Sequence, residues 1–322
     1  MKFLYSYQIS NIKRVNQEII KKDNSFKWHF SINEELSLGE TSLSNDEFIS
    51  LKLILVRHIA KVNYIFDSID LNQLIIIIKE NISIDKSYSI QIINDVDLIL
   101  NNLMKEINFN LQDYNLNIKN PDQIISVAYF KDKLYLGFSN KILNMSDYKC
   151  GKIHYAKDNN TISRSQYKLM EAIHVFDLNL NDYKVAADLG AAPGGWSSVI
   201  SSYNIPVSSI DPAELDPSLK NNKYITHYKL STQEFYKKNK TVYDLIVNDM
   251  KMEPKKSIDI INKFSSFIKS GGLVIMTLKL YKYYTINDFN YYFSLLSSEY
   301  KLINARQLFH NRDEITVVFK KL

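Results

Sequence analysis

Apolar and polar positions alternate in short, irregular blocks through the first half of the chain. In the second half they settle into a regular strand–helix rhythm. Phe3 to Ile9, Leu53 to Val56 and Ser87 to Ile93 have the β-branched and aromatic content of strands. Leu71 to Ile82 has a helical outline, although its run of isoleucines suits a strand as well. Asp97 to Ile107 reads as a helix with apolar Leu98, Leu103 and Ile107. Ile124 to Phe130 and Leu134 to Phe138 flank the polar turn Lys131-Asp132-Lys133, the pattern of a hairpin.

Beyond the middle, a helix is expected from Ser165 to Phe176, opened by a capping box of Ser163 and Gln166. Strands are expected at Val185 to Leu189, Val207 to Ile210, Leu245 to Asn248 and Leu273 to Thr277. Helical stretches, Trp196 to Ser202 and Ser257 to Ile268, lie between them. Ile303 to Leu308 and Ile315 to Phe319 suit an antiparallel pair. The fold class that follows is α/β. A doubly wound Rossmann-like sheet, mostly parallel with an antiparallel end strand, is preceded by a smaller α+β domain.

Glycine and charge divide the chain in the same place. Of 8 Gly, 6 lie at or after Gly151. The polar, turn-rich stretch from Asp147 to Thr161 marks a boundary between domains at 1–150 and 151–322. The first holds 17 Lys+Arg against 18 Asp+Glu, the second 23 against 17, so the net +5 resides in the second. That balance is compatible with phosphate contacts and equally with a solvated basic surface. A lone cysteine, Cys150, excludes an internal disulfide and fits a reducing compartment. No run is apolar enough for a signal peptide or a membrane span, so a cytoplasmic protein is expected.

The densest local signal is VAADLGAAPGGW, residues 185–196: a buried strand, an acid, a glycine-rich turn and a helix start. Glycines let a backbone approach a ligand closely, and free N–H groups at a helix start favour an anion such as a carboxylate. Ligands of open α/β sheets bind at this edge. A tight βα turn is the bland alternative.

The string resembles motif I of the FtsJ (RrmJ) family of ribose 2′-O-methyltransferases. The likeness implies that Asp188, Gly190, Ala191, Ala192, Pro193, Gly194, Gly195 and Trp196 line a pocket for S-adenosylmethionine. In the same light Asp211, in SSIDP, is placed to meet the cofactor's ribose, or else forms the turn before Pro212. Trp196 also suits packing. The family's Lys-Asp-Lys-Glu catalytic set has candidates in Lys168 (SRSQYKL), Asp249 (IVNDM), Lys279 (VIMTLKL) and Glu314 (RDEITVVF). Asp249 also belongs to the implied cofactor pocket.

A ribose hydroxyl must lose its proton as it attacks a methyl group, so a base must reach it. Lys279 is expected to be that base, its pKa depressed by burial beside Lys168. Asp249 would orient it and Glu314 would hold Lys168 or the ribose. Positioning of both substrates, on the order of 7–11 kcal/mol, is the larger effect. The scheme needs no metal.

Residues 163–176 and 305–320 further resemble the RlmM type of large-subunit ribosomal RNA methyltransferase, which implies a 23S rRNA cytidine as target. Residues 120–139, NPDQIISVAYFKDKLYLGFS, resemble the end of an RNA-binding THUMP domain. Arg306, His310 and Arg312 either meet RNA phosphates or face solvent. One departure from the family is Ser231-Thr232, where relatives carry an acid-Gly pair beside adenine. Methylation of tRNA or another RNA, and an RNA-binding protein without catalysis, are the competing readings. An amino-group methyltransferase is disfavoured, because Asn248-Asp249-Met250-Lys251 stands where N-P-P-Y would.

Overall fold

A computed structural model describes all residues except 10, 95, 96, 157–160 and 282, and only the backbone at 97–99. Two compact units divide at Ile153 and His154; the expected boundary lay partly on residues outside the described set.

The first unit runs β1 (Lys2–Tyr7), α1 (Ile12–Lys22), β2 (Lys27–Asn33), β3 (Leu36–Glu40), α2 (Asn45–Ser50), β4 (Val56–Val62), β5 (Tyr64–Phe66), α3 (Leu71–Asn81), β6 (Tyr88–Ile92), α4 (Asp97–Asn110), β7 (Gln123–Phe130) and β8 (Lys133–Ser139). One sheet has the order β2-β3-β1-β4, the other β5-β8-β7-β6. The β7–β8 hairpin turns at Lys131 and Asp132, both with positive φ. One expected strand moves. Residues 53–55 precede β4 instead of forming it, because the buried Glu18 carboxylate of α1 accepts the Ile54 and Leu55 N–H groups at 2.6 and 2.9 Å. Those amides are thereby taken out of any sheet ladder.

The second unit runs α5 (Ser165–Val175), β9 (Ala186–Leu189), α6 (Gly195–Ser201), β10 (Val207–Ile210), β11 (Ile225–Tyr228), α7 (Thr232–Lys238), β12 (Tyr243–Asn248), α8 (Pro254–Lys263), β13 (Ile268–Lys279), α9 (Ile286–Ser294), β14 (Tyr300–Arg306) and β15 (Glu314–Lys321). Its seven strands have the order β11-β10-β9-β12-β13-β15-β14. The first five are mutually parallel, and β15 runs antiparallel to both neighbours. The chain winds outward from β9 to β11, then returns to β12 on the other side of β9. A crevice opens at such a reversal, at the carboxyl edge.

The central strands are apolar because both faces are covered: Leu245, Ile246 and Val247 are fully buried. Leu169 and Ala172 of α5 and Val199 and Ile200 of α6 fill one face. The expected capping box of α5 forms only by half. Gln166 accepts the Ser163 N–H at 3.1 Å, but the Ser163 hydroxyl pairs with Ser165 at 2.6 Å instead of capping the helix. No helix among the described residues is long and apolar enough to cross a membrane.

Candidate active site

The site is assembled on the carboxyl edge of β9, β10, β12 and β13. Past β9 the chain turns through Gly190 at φ 76° and Gly194 at φ 106°, a region glycine enters without strain. A β-carbon at Gly190 would collide with Met250, and one at Gly194 with Leu219. The Ala192–Pro193 peptide is cis.

Four of the loop's amides are bonded within the protein. Gly190 and Ala191 donate to the Ile210 carbonyl at 2.9 and 3.1 Å, and Gly194 to Ala191 at 2.6 Å. Ala192 donates to the Asp211 carboxylate at 3.1 Å. Those of Gly190, Ala191 and Ala192 fix the loop onto the end of β10.

Two residues expected in the cofactor pocket have buried side chains. Asp188 is 2% exposed and accepts the Ser197 hydroxyl at 2.7 Å. Register places it opposite Ser209 of β10, which pairs with Ser197 at 2.6 Å. Burial raises the Asp188 pKa to about 7, against the Ser197 hydrogen bonds and with the help of the Asp249 and Asp211 charges. Trp196 is 3% exposed, packs in the α5–α6 core and donates its indole N–H to the Ser165 carbonyl at 2.8 Å.

Asp211 accepts one amide on each oxygen, Ala192 and, at 2.8 Å, Ala213. It therefore forms the turn while keeping lone pairs for a hydroxyl. Asp211 and Asp249 follow β10 and β12, the two strands that flank β9. A ligand carrying positive charge and hydroxyls, as S-adenosylmethionine does, fits that pair of carboxylates.

Beside the loop, the four expected catalytic residues meet. Antiparallel pairing of β13 and β15 sets Lys279 directly across from Glu314. Lys279 donates to Asp249 at 2.9 Å and to Glu314. Lys168, from α5, donates to Asp249 at 3.0 Å and to Glu314 at 2.6 Å. Each ammonium thus touches both carboxylates.

Thr277, two residues before Lys279 and on the same face of β13, adds a hydrogen bond of 2.6 Å to Asp249 and accepts one of 2.9 Å from Lys279. Sequence reasoning missed it; the i, i+2 spacing along a strand was the available signal.

One electrostatic expectation is reversed. Burial alone would lower the Lys279 pKa, but the charges of Asp249 and Glu314 and the hydrogen bonds they accept outweigh it. The pKa stands above the ordinary lysine value. Two cations share two anions, so the repulsion from Lys168 is compensated.

These side chains open on a cleft of about 920 Å³. Exposed Arg312 and half-buried His310 also line it. Arg306 is not among its lining residues: its guanidinium lies 6.0 Å from the Phe176 ring centre, and desolvation lowers its pKa to about 10. A phosphate-binding role for Arg306 has no support in that position. Among the described residues, no group of three or more His, Cys, Asp or Glu could hold a metal ion.

The topology and the site define a Rossmann-like methyltransferase domain whose cofactor is S-adenosylmethionine. More narrowly, residues 161–284 match the FtsJ-like methyltransferase family, and the second unit is a domain of that family.

An uncharacterized protein of Methanocaldococcus jannaschii is 29% identical over 171 residues, covering 50% of this chain and 47% of that protein. The ribosomal RNA large subunit methyltransferase M of Dickeya chrysanthemi is 30% identical over 174 residues, covering 50% and 46%. That of Aeromonas salmonicida is 29% identical over 210 residues, covering 61% and 57%. The chain spans about half the length of the curated relatives it matches.

Proposed function

We propose that this chain methylates a ribose 2′-hydroxyl of large-subunit ribosomal RNA. The observation that carries the reading is the interlocked cluster of Lys168, Asp249, Lys279 and Glu314 beside the glycine loop. Ribosomal RNA as substrate is supported by the names of the matched methyltransferases. The choice of a cytidine rests on the likeness to the RlmM type. The first unit, with its THUMP-like β7–β8 hairpin, is proposed to hold RNA.

S-adenosylmethionine supplies a methyl group on a positively charged sulfur. Lys279, the candidate base, is held as a cation by its two carboxylates in the free protein. Beside one further positive charge, the cluster carries net +1, and Lys279 loses its proton more readily. Its amine would then take the proton of the 2′-hydroxyl as the ribose oxygen bonds to the methyl carbon and the methyl–sulfur bond breaks, leaving a neutral thioether. Lys168 stays behind to balance Asp249 and Glu314, and Thr277 keeps Asp249 aimed at Lys279.

The test is methyl transfer from labelled cofactor to large-subunit rRNA transcribed without modification, followed by alkaline hydrolysis. A labelled, alkali-resistant dinucleotide is expected, since a 2′-O-methyl group blocks cleavage. Label recovered only on bases would defeat the reading.

A further inference from the structure

A cluster of aromatic rings adjoins the lysine–carboxylate cluster. Tyr155 and Tyr167 stack with centroids 5.5 Å apart and planes within 9°. His310 lies 5.5 Å from the first and 5.4 Å from the second. The Phe309 ring follows at 5.1 Å from His310. Tyr167, Phe309 and His310 all line the cleft, and all are half-buried.

This group is rigidly held. Glu171, 1% exposed, accepts the backbone N–H groups of Phe309 and His310 at 2.6 and 2.8 Å, and the His310 Nδ1–H at 2.8 Å. A carboxylate only accepts, so the imidazole carries a proton on Nδ1 and its ring plane is fixed.

The same helix, α5, carries Tyr167, Lys168 and Glu171. Lys168 grips Glu314 while Glu171 grips residues 309 and 310 just before it. Two ties between α5 and one stretch of chain therefore hold the rings at a set distance from the reacting groups. Arg164 and Arg312 stand exposed on the cleft's lining, where phosphates would pass.

We infer that Tyr167 and His310, with Phe309 standing edge-on to His310, form a stacking platform for an unstacked nucleobase of the acceptor RNA strand, with Glu171 as the positioning residue that locks it. This inference rests on the proposed function. RNA is read largely through splayed bases stacked on Tyr, Phe, Trp or His, and fixed rings give that contact without ordering cost. The platform would present one base while its ribose, or the adjoining one, reaches Lys279.

The test uses the full chain and a short single-stranded RNA carrying 2-aminopurine, whose fluorescence is quenched on stacking. Quenching by the unaltered protein is expected. Tyr167→Leu and His310→Ala should weaken RNA affinity about tenfold or more, while Tyr167→Phe and His310→Phe, which keep a ring, should retain it. Glu171→Gln should raise KM for rRNA with cofactor affinity unmoved. Calorimetric titration of S-adenosylmethionine and melting curves show that each variant is folded.

Absence of quenching in a protein that still methylates rRNA would overturn the platform and leave the proposed function standing. Quenching that follows the rings, in a protein that methylates no RNA, would support the platform and sink the proposed function. Equal affinity in the ring-less and ring-retaining variants would overturn the platform outright.

Discussion

The glycine loop and the lysine–carboxylate cluster share one edge of one sheet, yet they satisfy their polar groups in opposite ways. The loop is self-contained: Gly190 and Ala191 bond to Ile210, and Ala192 to Asp211, all within a short stretch of chain. The cluster draws Lys168 and Asp249 together across 81 residues, and Lys279 and Glu314 across 35. A change in the loop is felt as backbone strain near the cofactor. A change in the cluster strips compensation from three other charges. On the proposed function, the loop would govern binding and the cluster the proton.

Removing the Lys279 amine tests that division most severely. Lys279→Met should slow single-turnover methyl transfer about 10²–10⁴-fold, the usual contribution of a proton-transfer base. Cofactor affinity should change little. In the unaltered protein the rate should rise with pH through the neutral range, because Lys279, with a pKa above the ordinary lysine value, must lose a proton before it can accept one. An undiminished rate, or a cofactor affinity that falls as steeply as the rate, would erase the distinction between the two regions.

Asp188 supplies the next effect, on stability. Its native pKa of about 7 lies above the unfolded value of 3.8, so between those values the native state holds a proton that the unfolded chain has released. Stability from this group is present below pH 4 and is lost as pH rises towards 7, by on the order of 4 kcal/mol. Asp188→Asn should flatten the difference between urea midpoints measured at pH 4.5 and pH 7.5. The same slope in both proteins would mean that the carboxylate is solvated or paired.

The contrast also explains what could be read from the chain. The loop is contiguous, so VAADLGAAPGGW displayed its turn, its glycines and its strand in order. The inner parallel strands β9, β10, β12 and β13 showed in the pattern because they lie inside the sheet, whereas the edge strand β11, alternating half-buried and exposed, did not. The lysine–carboxylate set was legible only as a resemblance, since nothing local brings Lys168 to Glu314; the register of β13 against β15 does. The sign of the Lys279 shift depended on that register and was misjudged.

The burial of the Asp188 and Trp196 side chains follows from the cover over β9 and from the packing of α5 against α6, neither of which is local in the chain. The opening of β4 was misplaced for a similar reason: Glu18, from a different element, captures the amides of Ile54 and Leu55 just before it.

Gly190→Ala tests the loop's half. A left-handed backbone costs a residue with a β-carbon about 1–2 kcal/mol, and Met250 must also move aside. Urea titration should show a loss of that size, with weaker cofactor binding and a transfer rate at saturating cofactor close to normal. A fall in that saturated rate instead would mean that strain in the loop reaches the cluster through Met250 and the adjoining Asp249.

The smallest expected effect decides what Ser231 is for. This serine opens α7 with a reciprocal pair of bonds: its hydroxyl accepts the Glu234 N–H at 3.2 Å, and its own N–H donates to the Glu234 carboxylate at 2.9 Å. That is a complete capping box, which accounts for the serine by helix formation alone. Thr232, next to it, is buried with its hydroxyl 3.9 Å from the Met250 sulfur, on the loop's side of the site. Ser231→Ala should then lower stability by about 1 kcal/mol and leave the affinity for S-adenosylmethionine unchanged in a calorimetric titration. A drop in affinity larger than the loss of stability would show that the serine hydroxyl reaches the cofactor directly, and would extend the loop's binding role to the start of α7.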